Sequence, residues 1–77
     1  MKHLYYVSVD HKDTHYFRVN EATGEYQRVT IHRYLFKTRY TLTSGDAFLM
    51  PNGGISRIEA DRYKAVFKSA ILFHNEL

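Results

Sequence analysis

The sequence predicts an α+β domain: an antiparallel β-meander of five to six strands, with one C-terminal α-helix packed on one face. Three observations carry this expectation. Residue character alternates with period two through most of residues 3–42. Turn-forming residues interrupt that alternation, and the last segment changes to helical spacing. A period of two separates the faces of a strand, whereas a period near 3.6 gathers apolar residues on one side of a helix.

Residues 3–9 alternate Tyr5, Val7 and Val9 against Leu4, Tyr6 and Ser8, and are rich in β-branched and aromatic side chains. The polar run Asp10-His11-Lys12-Asp13 reads as a turn. Residues 15–20 form the second predicted strand, and 25–32 the third. Between them, Gly24 in Asn20-Glu21-Ala22-Thr23-Gly24-Glu25 supplies the positive φ that closes a hairpin. Two registers are open here. A bulged loop with an odd number of residues puts Tyr16, Arg18, Tyr26 and Arg28 on one face. A four-residue loop pairs Val19 with Tyr26 and Phe17 with Arg28 instead.

Residues 33–42 read as a fourth strand. Tyr34, Phe36, Thr38, Tyr40 and Leu42 fall on one side, and Arg33, Leu35, Lys37, Arg39 and Thr41 on the other. Thr43-Ser44-Gly45-Asp46 breaks the pattern. Residues 47–50 and 55–58 then flank Pro51-Asn52-Gly53-Gly54, the signature of a tight hairpin. Tyr63, Val66, Phe67, Ala70, Ile71 and His74 recur at helical spacing, which predicts a helix over 60–74. Its start has two readings: a capping box at Ser56 and Glu59, or an N-cap near Glu59 with Ile58 stapled onto Tyr63. The turn at Asn52-Gly53 needs a partner strand, which favours the second. Phe67 and Ile71 are expected to be buried against Val7, Tyr34 and Phe36.

Seventy-seven residues leave room for one domain, 1–77, with a small core and correspondingly small stability. There is no cysteine, so disulfides and cysteine-based zinc sites are excluded. A homodimer is the remaining expected support. No apolar stretch is long enough to span a membrane and no secretory signal pattern opens the chain, so a cytoplasmic location is expected.

The net charge is only +3, but its distribution is uneven: Arg28, Arg33, Lys37 and Arg39 lie between Tyr26 and Gly45 with no carboxylate among them. Aromatic rings interleaved with cations suit single-stranded nucleic acid, because rings stack on bases while cations hold the phosphates. The candidate contact residues are Tyr16, Arg18, Tyr26, Arg28, Arg33, Lys37 and Arg39, with Tyr6 beside them on the first strand. The last three cations are expected to form one row along the fourth strand. A basic face that discourages aggregation is the plainer use of the same charges.

The alternative is a protein-binding inhibitor or adaptor that docks on a larger host protein or ribonucleoprotein, since Tyr and Arg also dominate protein interfaces. Phages and other mobile elements encode such proteins, anti-defence and anti-CRISPR inhibitors among them. An enzyme is not expected, because no phosphate loop, metalloprotease motif or nucleophile elbow is present. Tyr26, Tyr34, Tyr40, Arg28, Arg39 and His32 would supply a small ribonuclease only if geometry gathered them. His11 and His15, with Asp10 or Asp13, read as a solvated turn before they read as metal ligands, and His74, near the helix C-terminus where the dipole favours a cation, reads as a capping or core-edge residue. No cofactor is called for.

Overall fold

A computed structural model describes residues 2–51 and 54–76. The strands are β1 (His3–Val9), β2 (Asp13–Asn20), β3 (Tyr26–Arg33), β4 (Thr38–Gly45) and the short β5 (Ser56–Arg57), followed by the helix α1 (Ala60–Asn75). They form one antiparallel sheet in the order β4-β3-β2-β1-β5, with α1 across one face. This is the predicted α+β architecture with five strands.

The first turn is held by Asp10, whose Oδ1 accepts the backbone N–H groups of Lys12 (3.1 Å) and Asp13 (2.9 Å). That local bonding lets β2 begin at Asp13, ahead of its predicted start. In the second turn Asn20 N–H donates to Glu25 O (2.8 Å), and Gly24 takes a φ of +82°. Val19 therefore pairs with Tyr26 and Phe17 with Arg28, which selects the four-residue loop. Tyr16 and Arg18 face α1, and Tyr26 and Arg28 face away from it.

The largest departure lies in residues 33–42, which are not one strand. Tyr34 N–H donates to Lys37 O (2.8 Å), so β3 and β4 fold back on each other around Leu35 and Phe36. The turn contains no glycine, proline, asparagine or aspartate, and no residue in it has a positive φ. It lacks every local feature that marks a primed hairpin turn. Tyr34 and Phe36, expected in the core, are 60% and 95% exposed instead.

The core is Tyr16, Val29, Ile31, Tyr63 and Ala70, with Tyr5, Val7, Tyr40, Leu42, Val66 and Phe67 packed around it. Phe67 is half-buried. Ile71 is exposed, because it lies about 100° around the helix from Ala70, at the margin of the buried stripe. Glu59 is the N-cap, with extended backbone, and Asp61 lies in the first turn where the helix dipole favours an acid.

Residues 47–50 form no strand, so the predicted hairpin there is not formed; Asn52 and Gly53 lie outside the described residues. The segment from Asp46 instead crosses the face opposite α1, from β4 at one edge toward β5 at the other. Phe48 pins it: its N–H donates to Gly24 O (2.9 Å), and its ring packs on Tyr6, Phe17 and Tyr26.

Candidate docking surface

A two-residue turn pushes side chains outward, because its chain reverses too tightly to cover them. At the β3–β4 end this exposes three consecutive large apolar residues, with Leu35 at 92%. Arg33 ends β3, Lys37 closes the turn and Arg39 is the second residue of β4, so three cations flank this apolar end. Adjacent exposed apolar side chains ringed by polar residues mark interaction sites, whereas scattered ones do not. The one warning in the sequence is Leu35, an apolar residue on the otherwise polar side of the expected alternation.

The three cations do not form a row. The hairpin reverses residue parity, so Arg33 projects on the α1 face, where its Nη1 donates to Thr14 Oγ1 (3.0 Å). Arg39 projects on the opposite face beside His32, and Lys37 belongs to the turn.

The remaining candidates divide in the same way. Tyr16 is buried in the core, with the Arg62 guanidinium 5.9 Å from its ring centre. Arg18, also on the α1 face, lines a hollow of about 640 Å³ together with Glu25 and Asp46. Tyr6 lies under Phe48 with Arg57 over its ring, and Tyr26 packs against Phe17 and Phe48. Tyr26 also lies across Gly45, where a Cβ would come within 2.5 Å of its ring. These tyrosines are packing elements before they are stacking platforms. Arg28, on the interior strand β3, lies 3.4 Å from Thr43 Oγ1 of β4.

The uncovered part of the sheet carries two short polar chains. His15 Nε2–H donates to Asp10 Oδ2 (2.9 Å), and Nδ1 meets the Thr30 hydroxyl (3.0 Å). His32 Nδ1–H donates to Asp13 Oδ1 (3.1 Å), and Nε2 meets the Thr41 hydroxyl (3.0 Å). A carboxylate only accepts, which assigns the donating nitrogen in each ring. The hydrogen bond from His15, then those from the backbone N–H groups of Asp13 and Lys12, hold the Asp10 carboxyl down at about 2. Although the Asp–His–Thr order matches that of a nucleophile triad, Thr30 is buried under the network. We read both chains as cross-strand ladders that stiffen the sheet.

Asp10, Asp13 and His15 also bring ligand-type atoms within 4.8 Å of one another. The Asp10 carboxylate is already engaged by two backbone N–H groups and by His15, so this corner is satisfied without an ion. Among the described residues, no helix is long and apolar enough to cross a membrane. Comparison with protein-family models, with curated proteins and with solved structures finds no match to this chain.

Proposed function

We propose that this protein is a small, non-enzymatic cytoplasmic binding module, an inhibitor or adaptor, whose contact element is the β3–β4 hairpin end. Leu35 and Phe36 seat in an apolar pocket on a larger protein, and Arg33, Lys37 and Arg39 meet an acidic rim around it. The observation that carries this reading is the exposure of Leu35 and Phe36, 92% and 95%, on a turn closed by a 2.8 Å backbone bond. Fully burying one such side chain contributes about 1.5–3 kcal/mol. A tight turn loses little conformational freedom on binding, so more of that gain survives as affinity. The flanking cations steer encounter and select against basic partners.

The test compares the wild type with Leu35→Ser and Phe36→Ser as immobilised baits. A partner retained by the wild type and lost by both variants, with unchanged melting temperatures, is the expected result. Partners retained equally by all three proteins would overturn the reading, as would binding only to anionic vesicles.

One observation favours a second reading, nucleic acid. No carboxylate occurs between Tyr26 and Gly45, so the whole hairpin is free of negative side chains. Apolar residues beside cations can wedge between bases while the cations hold phosphates. Fluorescence polarisation against single-stranded and duplex oligonucleotides separates the two readings. Three phosphate contacts to a single strand predict a slope of log affinity on log salt of about −2.

A further inference from the structure

The segment that follows β4 does more than connect two edges of the sheet. Between it and the sheet lies a hollow of about 380 Å³, walled by Phe17, Tyr26, Phe48, Met50, Pro51 and Arg28. That volume falls within the range of about 300–1,000 Å³ common to small-molecule sites. Phe48, whose ring lies 5.2 Å edge-on to that of Phe17 and 5.8 Å from that of Tyr26, fixes the aromatic wall.

Arg28 is the one charged residue among those that line the hollow. A guanidinium stays charged at any physiological pH. Its Nη2 has only the long 3.4 Å bond to Thr43 Oγ1. Its Nε is, among the described residues, the one buried side-chain nitrogen or oxygen without a hydrogen-bond partner. Nε is buried, so the planar fork that the guanidinium offers to a carboxylate is its outer Nη1–H and Nη2–H pair, which can make two parallel bonds. The hollow thus joins flat apolar walls to a cation with unspent donors. Leu49 and Met50 stand 82% and 59% exposed at its mouth, where a ligand would cover them.

We propose that this hollow binds a small, flat, apolar carboxylate, its ring against Phe17, Tyr26 and Phe48 and its carboxylate on Arg28. The site lies at the opposite end of β3 from the hairpin turn, so it stands or falls independently of the docking reading.

The probes are 2-naphthoate and the neutral 2-naphthalenemethanol, each titrated into the ¹⁵N-labelled protein and followed by amide shifts. Saturable shifts at Phe17, Arg28, Phe48 and Met50 are expected, with naphthoate bound about tenfold more tightly than the alcohol. Arg28→Gln should bring the two probes to equal affinity. Met50→Glu, at the mouth of the hollow, should weaken both probes but naphthoate by the larger factor, and that difference decides the matter if Arg28→Gln fails to fold. No saturable shift at about 1 mM probe would overturn the proposal, since weaker binding is not specific recognition. Equal affinity of the two probes for the wild type, or shifts confined to residues outside the hollow, would overturn it as well.

Discussion

Arg33 and Arg39 flank the same hairpin end but leave the sheet on opposite faces. Arg33 reaches from the end of β3 to Thr14 of β2 beside the core, and Arg39 pairs with His32 on the face away from the helix. Their charges surround the turn instead of lining one side of it. Neutralising either should weaken an acidic partner's association rate, with the effect shrinking as salt rises. Stopped-flow association of Arg33→Gln and Arg39→Gln at two ionic strengths checks this. An effect confined to one of them would mean that the partner contacts one face only.

The apolar end should be silent in stability and loud in binding. Leu35→Ser and Phe36→Ser remove side chains that pack on nothing, so each should change unfolding free energy by no more than about 0.5 kcal/mol. Urea denaturation measures this directly. A loss of several kcal/mol would show that the turn is buried in a self-associated state.

Tyr63 should behave in the opposite way. It is 2% exposed, and its hydroxyl donates to Gln27 Oε1 at 2.8 Å. Tyr63→Ala should cost about 3–5 kcal/mol, as expected for deleting a buried aromatic ring, and leave a chain this small largely unfolded. Tyr63→Phe removes only the hydrogen bond and should cost about 1 kcal/mol.

Two groups predict how stability responds to pH. Asp10 is held at about 2, chiefly by the bond from His15, below its unfolded value near 3.8. A lowered carboxyl stabilises the fold above the unfolded value, and that contribution is lost as pH falls from about 4 toward 2. Tyr63 is pushed up to about 12, chiefly by burial, from a model-peptide value of 10.0. The unfolded chain ionises first there, so stability should fall as pH rises from about 10 to 12. Carbon-detected titration of Asp10 in the wild type and in His15→Gln checks the acid limb; the midpoint should move up in the variant. Tyr63→Phe should flatten the alkaline limb.

The second turn depends on Gly24. At a φ of +82°, and with Asp46 O 3.4 Å from the position of an added Cβ, Gly24→Ala is strained whatever the space around it. The cost should be about 1 kcal/mol or more. Thermal unfolding measures it, and an unchanged melting temperature would mean that the turn adopts another conformation.

One edge of the sheet is β4, an eight-residue strand whose single charged residue is Arg39. Long, lightly charged edges invite pairing with another chain. Sedimentation is expected to show a homodimer at concentrations of about 100 μM, paired two-fold through β4. A strict monomer there would leave the edge free for a different partner.

What the sequence determined by itself was the part governed by local periodicity. The bounds of β1 and the extent of α1 follow from side-chain spacing, and the turn at Asn20–Gly24 follows from a residue that accepts positive φ. Tertiary structure decided the rest. Tyr34-Leu35-Phe36-Lys37 carries no turn chemistry, and its reversal is set by β4 pairing along the whole of β3. That reversal divided Arg33 from Arg39 and brought Tyr34 and Phe36 out of the expected core. Likewise, the four-residue register placed Tyr26 and Arg28 on the face away from the helix, and Phe48 then crossed over to meet them. Where two strands reverse and in which register they pair is decided by contacts between them, and alternation within either strand reads the same whichever register they take.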